Sequence, residues 1–479
     1  MDELWDDSAM SAPDLTPEMM NRIRDSGLDQ HLTLLLGAGA STTSGLPDWD
    51  TLAVRLLMRT HVAMKEDAAR LLVSKQDALL VAEAARKATG AQWDRRLKSA
   101  LYEGTSDPAP SPLHGAVAGH LLDGPEGETT LITLNFDTLL EEAIRGGTAR
   151  SVISGVNGAE SPDSYTVHHL HGIVSPTTVQ KVVLTLSDFN NLLGDEASWQ
   201  LELLRTAVKK GALVIAGTSY RDPDLRRWLH VAFDEQPPQH AALVLLAREA
   251  FSLDKVAFAE VKEALASQWR AAGLEPVILE DFTDAAQLMR ELRHLHRPAY
   301  VSPQERARVI WEAHVRRFSE LQQDYSNQLN CHAAVMKEAL DVDQVNVTLW
   351  LANGRGQLAR WTAHDRCYRA VDDLRLVDSG HDSRWIAGRA LATEELLFHN
   401  LGMGQTQRWG SVLAIPIRVE YPDFPEFATA VISVGLPDPA KTYETTRTLW
   451  LDALLTIANY WSALLISATF PAETHTLNQ

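Results

Sequence analysis

The sequence predicts an α/β protein with a doubly wound, mostly parallel sheet and a helical insertion, followed by a C-terminal α+β module. Three observations carry this. First, short apolar runs recur at His31 to Leu36, Thr130 to Leu134, Ala212 to Ala216, Ala242 to Leu246 and Pro276 to Leu279. A compact apolar run bounded by turn residues reads as a buried strand. Second, helical patterns lie between them, as at Ser198 to Lys209 and Asp254 to Ala272, and strands alternating with helices build a doubly wound parallel sheet. Third, the rhythm changes after Pro298 to Pro303, where Pro and Ser flank an aromatic residue.

The elements follow in order. Residues 1–20 read as a mobile acidic lead. After the first strand, Asp50 to Leu122 is rich in Ala, Leu, Arg and Glu and reads as the helical insertion. The catalytic-type α/β region spans 21–298 and the second module 303–470. In that module, Pro303 to Leu340 reads as one or two long helices. Val345 to Leu351 alternates like a strand, Asn353-Gly354 signals a turn, and Gln357 to Thr362 is the hairpin partner. Ser411 to Val419, interrupted by Pro416, and Ala428 to Val434 add two strands. Trp450 to Ile466 closes the chain as a helix whose Leu451, Leu454, Leu455, Ala458, Trp461, Leu464 and Leu465 share one broad face. That face is expected to pair between subunits and make a homo-oligomer. The stretch Leu449 to Ile466 carries Asp452, Asn459 and Ser462 and reads as too short and too polar to span a bilayer, so no membrane is expected.

Composition narrows the functions. The chain has 479 residues, with 44 Lys and Arg against 63 Asp and Glu, a formal charge of −19. So acidic a surface repels phosphate backbones and argues against general nucleic-acid binding, while leaving room for a small anion in a local pocket. The two cysteines, Cys331 and Cys367, exclude a disulfide scaffold and a four-cysteine zinc site. They fit a reducing cytoplasm. Met1 to Asp14 lacks the apolar core of a signal peptide.

The chemistry-bearing motifs sit at strand ends. Gly37-Ala38-Gly39-Ala40-Ser41 follows the first strand and leads into Gly45-Leu46-Pro47-Asp48-Trp49. Glycines there let the backbone turn sharply and approach a phosphate. The string lacks the third glycine of the usual dinucleotide fingerprint. Thr133-Leu134-Asn135-Phe136-Asp137 ends the second strand, and Gly217-Thr218-Ser219 ends the third, continuing to Asp222. Between them lie His168, His169 and His171. Asn135 and Asp137 also suit helix caps. A metal held by the three histidines is disfavoured, because His168 faces away from the other two and no cysteine or carboxylate pair lies at ligand spacing. Arg226 and Arg227 read as a solvated helix face.

In this order the motifs resemble those of the sirtuins. Gly37, Ala38, Gly39, Ser41, Gly45, Pro47 and Asp48 match that family's first motif position by position, while Asp50 stands where the family has arginine. Asn135 and Asp137 resemble the family's Asn and Asp beside nicotinamide and its ribose, and His171-Gly172 resembles its His-Gly. Gly217-Thr218-Ser219 resembles the segment at the adenine-side ribose. The resemblance covers about residues 30–285 and implies a Rossmann-like domain using NAD. It implies Asn135, His171 and Asp137 as catalytic residues: Asn135 positioning nicotinamide or water, His171 as general base, and Asp137 stabilising positive charge. It further implies Gly37, Ala38, Gly39, Ser41, Pro47, Asp48, Gly217, Thr218, Ser219 and Asp222 as cofactor-binding residues. Gly37, Gly39 and Ser41 would meet the pyrophosphate, and Ser219 and Asp222 the adenosine ribose. With no cysteine before residue 331, the zinc ribbon of protein-deacylating sirtuins is missing. The nearest architecture is that of sirtuin-like NAD hydrolases of bacterial anti-phage defence, the Thoeris-effector type, which implies NAD as substrate and no metal. The alternatives are a protein deacylase or ADP-ribosyltransferase, and a non-catalytic NAD or ADP-ribose sensor.

Residues 303–470 resemble a GAF domain, with Gly410-Ser411-Val412-Leu413-Ala414-Ile415-Pro416-Ile417 as the best-matching string. This implies a module that binds a small-molecule or nucleotide signal or drives assembly. Trp361, Trp385 and Trp409 line a pocket or pack in the core, the core being favoured. Cys367 stands without a chromophore-attachment motif.

Overall fold

A computed structural model describes residues 15–26, 31–105, 107–193, 198–218, 222–235, 240–401 and 408–471. The chain divides into two compact units, Arg22–Arg293 and His294–Gln479, the second also taking in the N-terminal stretch through Asn21. The break falls a few residues ahead of Pro298. Of the expected mobile lead, residues 1–14 lie outside the described residues. Residues 17–20 are not a lead but belong to a helix, Pro17–Arg24, because Met20 and Ile23 give it an apolar side that is buried.

The strands of the first unit are β1 (His31–Leu36), β2 (Thr129–Thr133), β3 (Ser151–Gly155), β4 (Ser164–His169), β5 (Ile173–Val174), β6 (Val179–Gln180), β7 (Gly211–Ala216), β8 (Ala242–Ala247) and β9 (Glu275–Leu279). Seven of them form one sheet in the order β3-β4-β2-β1-β7-β8-β9, and every pairing in it is parallel. Helices on both faces bury parallel strands completely, which is why β7 and β8 read as unbroken apolar runs and β1 is apolar but for Thr33 past its first residue. One face packs Leu35, Ile132, Ile215 and Val244 against Trp228, Leu229 and Trp269. The expected helical insertion is present between β1 and β2 as Trp49–Arg59, Glu66–Lys75, Ala78–Thr89, Trp93–Leu101 and Pro112–Asp123. The edge strand β3 and its neighbour β4 extend the sheet beyond the five strands read from apolar runs. β3 is half exposed and β4 carries polar residues along its length, so neither has the apolar run that marks a central strand. β5 and β6 form a separate antiparallel hairpin just past His171.

The second unit has six strands, β10 (Asn346–Ala352), β11 (Gln357–Ala363), β12 (Leu376–Asp378), β13 (Leu397–Asn400), β14 (Ser411–Val419) and β15 (Phe427–Leu436). They form an antiparallel sheet in the order β12-β11-β10-β15-β14-β13. The expected hairpin is β10–β11, and Gly354 at its turn has φ +67°. One sheet face packs on the helices Pro303–Arg316, Phe318–Leu340 and Arg447–Thr469. The other packs on the helix Ile386–Thr393. Trp361 is fully buried on the first face, among Trp311 and Phe318. Trp385 lies partly exposed beside Trp350, with the Arg375 guanidinium 4.1 Å over its ring. The tryptophans therefore do not line one pocket.

The closing helix has 23 residues and, by length and composition alone, is long and apolar enough to cross a membrane. That corrects the reading of the stretch as too short. The helix begins at Arg447, ahead of the apolar run. Trp450, Leu454, Ile457, Trp461 and Leu465 are buried in the unit's own core, while Leu449 and Leu455 stay exposed.

Candidate active site

In a doubly wound sheet the strand order reverses beside the first strand, and the loops there part to leave a crevice at the carboxyl ends. Here the reversal lies between β1 and β7. The loops leaving these strands interlock through glycines. Gly37 N–H donates to Ala216 O (2.9 Å) and Gly39 N–H to Gly217 O (2.7 Å). A Cβ on Gly37 would lie 2.6 Å from Gly217 O, and one on Gly39 would lie 2.5 Å from the Phe282 ring. Gly217 has φ +69°. These glycines are required by close approach of protein to protein. The Gly37 and Gly39 N–H groups, expected to face a phosphate, are committed to the β7 loop. Ala38 is exposed at the crown of the turn, its carbonyl accepting from Ser41 and Thr42 N–H.

Asn135 stands just past β2, next to β1, and is 7% exposed. Its Nδ2 donates to Ser41 Oγ (2.9 Å), and its Oδ1 is buried with no hydrogen-bond partner. Ser41 also lies 3.4 Å from His114 Nε2. His114 Nδ1 accepts from Ser111 N–H (3.1 Å), which places the ring proton on Nε2, pointing at Ser41. Burial holds His114 below the ordinary histidine value, so the neutral form is favoured. Ser41 Oγ thus accepts twice, and its own proton remains to be donated. From behind, His169 Nδ1 donates to the Asn135 carbonyl (3.0 Å). His169 Nε2 donates to Glu141 (2.7 Å), and both side chains are fully buried. Ser154 Oγ also donates to Glu141. The carboxamide is therefore fixed on its donor side and unpaired on its acceptor side.

His171 follows β4 and is held by the backbone turn at Gly172, φ +84°. It is 4% exposed. Its ring packs against Phe189 (5.6 Å) and Trp228 (5.8 Å). Asp222 Oδ2 lies 3.6 Å from Nδ1, and Asp224 Oδ2 lies 3.7 Å from Nε2. Burial works against a charge on His171, but the two carboxylates outweigh it and hold the imidazole above its ordinary value. The resemblance implies Asp222 at the adenosine ribose; the structure places one carboxylate oxygen 3.6 Å from His171, and the other caps the helix Pro223–Glu235 through Leu225 N–H (2.8 Å).

The remaining expected residues have local roles. Asp137 is buried and accepts from Leu139 N–H (3.1 Å), as a helix cap would. Asp48 caps the helix Trp49–Arg59 through Thr51 N–H (2.8 Å), with Pro47 half-buried before it. Thr218 packs on Gly37. Ser219 lies outside the described residues. The three neighbouring histidines do not converge. His168 is buried with Glu160 at 3.9 Å, His169 pairs with Glu141, and His171 with Asp222 and Asp224. Among the described residues, no group of three or more His, Cys, Asp or Glu is placed to hold a metal ion.

Four residues that matter here were not singled out from the sequence: His114, Glu141, His169 as a support, and Asp224. The Ser111-Pro112 helix start could have pointed to His114 as its third helical residue, a capping-box position. Nothing in the sequence separates Glu141 from its neighbour Glu142, or Asp224 from an ordinary acidic first turn.

A family model described as a SIR2-like domain matches residues 129–277. The match begins at β2 and so includes Asn135, His171 and Gly217 but not the glycine turn after β1. No curated protein matches the chain. Among solved structures, the chain is similar to fRMsr of Staphylococcus aureus in complex with substrate, at 13% identity and a TM-score of 0.21, over 32% of this chain and 95% of that one. At that score the likeness carries no argument. The parallel sheet is consistent with a Rossmann-like SIR2 fold, and the chain carries a SIR2-like domain, which points to NAD-related chemistry.

Proposed function

We propose that the protein is an NAD glycohydrolase that cleaves NAD to nicotinamide and ADP-ribose. The observation that carries the reading is the placement of Asn135: a buried carboxamide past the end of β2, beside the glycine turn that follows β1, its donor side tied to Ser41 and its Oδ1 unpaired. An acceptor in that state can hold a water or the nicotinamide amide. The glycosidic bond breaks with its electrons passing to the nicotinamide ring nitrogen, leaving positive charge on the ribose. Water then bonds to C1′ and its proton passes to His171, a task that imidazole suits near neutral pH. Asp137 supplies negative charge near the cation, and the Ser41 hydroxyl offers a donor to the ligand. The dinucleotide would lie across the ends of β1, β2 and β7, with Ala38 and Gly217-Thr218-Ser219 toward its pyrophosphate and adenosine end.

The boundaries we propose are 21–298 for this catalytic domain and 303–470 for a GAF-like module that senses a small-molecule or nucleotide signal or drives homo-oligomer assembly. Support comes from the helix–sheet–helix order of that module and from leucines exposed on its closing helix. An unrestrained NAD hydrolase would harm its own cell, so a control module fits a role in anti-phage defence by NAD depletion. The test is incubation of the full-length protein with NAD and no acceptor, followed by chromatography for nicotinamide and ADP-ribose. Asn135→Ala and His171→Ala should each lose at least about 100-fold in turnover, the usual scale for an acid–base group. NAD consumption that appears only with an acylated peptide would replace hydrolysis by deacylation.

A further inference from the structure

We propose that Asp224 is a positioning residue for His171, forming a buried His–carboxylate dyad in which Asp224 holds Nε2–H and Nδ1 is the nitrogen that takes the proton. This rests on the reading of His171 as the base in NAD cleavage. His171 Nε2 and Asp224 Oδ2 are both buried without a hydrogen-bond partner, and they face each other at 3.7 Å. Two unsatisfied buried atoms of opposite character at that distance form a hydrogen bond once either side chain shifts by under about 1 Å, and catalytic hydrogen bonds commonly tighten only on binding. Asp224 is 1% exposed, while the Asp222 side chain at Nδ1 is 14% exposed. The Nε2 side therefore faces the more deeply buried carboxylate and the Nδ1 side the more accessible one.

The helix carrying Asp224 is built to clamp the ring. Asp224 and Trp228 are four residues apart and so share a face, presenting a carboxylate and an apolar wall to the same imidazole. Phe189 closes another side, and the cap on Leu225 fixes Asp222. The charged groups acting on His171 are thus Asp222 and Asp224, with Arg227 acting on Asp224. In the reaction, once the C1′–N electrons have left with nicotinamide, a water proton moves to Nδ1 as its oxygen bonds C1′. The imidazolium so formed is stabilised by Asp224 and returns its proton to solvent through Nδ1.

The test uses the full-length protein with ¹⁵N-labelled histidine, His171 being assigned by the resonance lost in His171→Gln. Neutral His171 should be the Nε2–H tautomer, and its titration midpoint should lie above the ordinary histidine value. Asp224→Asn should lower that midpoint by about one unit, on the scale of one neighbouring opposite charge. Turnover should fall about 100-fold with KM nearly unchanged, and the acid limb of the pH–rate profile should move down with the midpoint. An Nδ1–H tautomer in the wild type overturns the proposal, and needs no variant to fold. An unchanged midpoint in a folded Asp224→Asn protein overturns it as well. If the wild type shows the expected tautomer and midpoint but never releases nicotinamide, the dyad stands and the NAD-cleavage reading falls.

Discussion

Replacing Glu141 by Leu isolates one charge of the pair beneath Asn135. Glu141 and His169 are both fully buried, 2.7 Å apart, and His169 also carries the Asn135 carbonyl. Removing one partner of a buried ion pair costs about 3–5 kcal/mol, because the other is left charged or must give up its proton. Here Ser154 loses its acceptor as well, so the upper half of that range is expected. His169→Leu should cost a similar amount, since Glu141 is then alone and the Asn135 carbonyl loses its donor. The double variant should recover much of the loss, giving a coupling of at least about 2 kcal/mol. Burial opposes the charge on His169, and Glu141 more than offsets it, holding His169 above its ordinary value. That stabilisation is complete below the ordinary histidine value and is lost as pH rises through the raised one. Burial likewise opposes the charge on Glu141, and His169 outweighs it, holding the carboxyl low. Its share is complete above the ordinary carboxylate value and is lost as pH falls through the lowered one. The penalty should therefore be largest near pH 6. Urea unfolding of the full chain, followed by exchange of amides in β2 and β4, measures it. Single-variant losses under about 1 kcal/mol, or strict additivity, would refute the pair's role.

Three other outcomes are expected. Ser41→Ala leaves the Asn135 amide and His114 Nε2–H without their acceptor; a loss of about 2 kcal/mol should show in thermal unfolding, together with reduced NAD turnover. Gly172→Ala forces a side chain onto φ +84° and sets its Cβ 2.3 Å from Lys181 O, so a cost above about 2 kcal/mol and displacement of His171 should appear in Tm and turnover together. Burial holds His314 down at about 4, with Ile310 O and Tyr325 as partners. Its stabilisation is complete above the ordinary histidine value and is lost as pH falls through about 4. Shifts of this size correspond to about 3 kcal/mol, so the second unit should lose that much between pH 7 and 4, and His314→Gln should flatten the slope in pH-dependent unfolding.

Legibility from sequence followed burial. The central strands were readable because a parallel sheet covered on both faces demands apolar residues, as in β7 and β8. β3 and β4 were not: β3, at the sheet edge, is half exposed, and β4 beside it carries polar residues such as Thr166. The motif residues Asn135, His171 and Gly217 were legible as chemistry, since each stands at a strand end where the fold concentrates function. Their supports were not. Asp224, Glu141 and His114 are helix residues whose partners lie on other elements, 53, 28 and 73 positions away in the chain at His171, His169 and Ser41. No local pattern encodes such pairings. The glycine turn was legible as glycine-requiring, but the sequence does not show that Gly217 and Phe282 lie at close range to it.

Three histidines occur within four positions, yet environment alone sorts them into three roles. His168 is buried with only a carboxylate at 3.9 Å, so desolvation prevails and the ring is held below its ordinary value. His169 meets Glu141 at hydrogen-bond distance and is held above it, but both of its nitrogens are spent, one on a carbonyl and one on the carboxylate. Such a ring has no free nitrogen to accept a proton, and releasing one gives up its charge toward Glu141 or its bond to Asn135. His171 is also held above its ordinary value, but its carboxylates stand at 3.6 and 3.7 Å. They are near enough to bias protonation, and Nδ1, the nitrogen proposed to take the proton, is not spent on a hydrogen bond. Proton transfer needs a group whose charge is influenced by its neighbours without being locked by them. Of the three, only His171 meets that condition, and it is the one carried past the carboxyl end of β4.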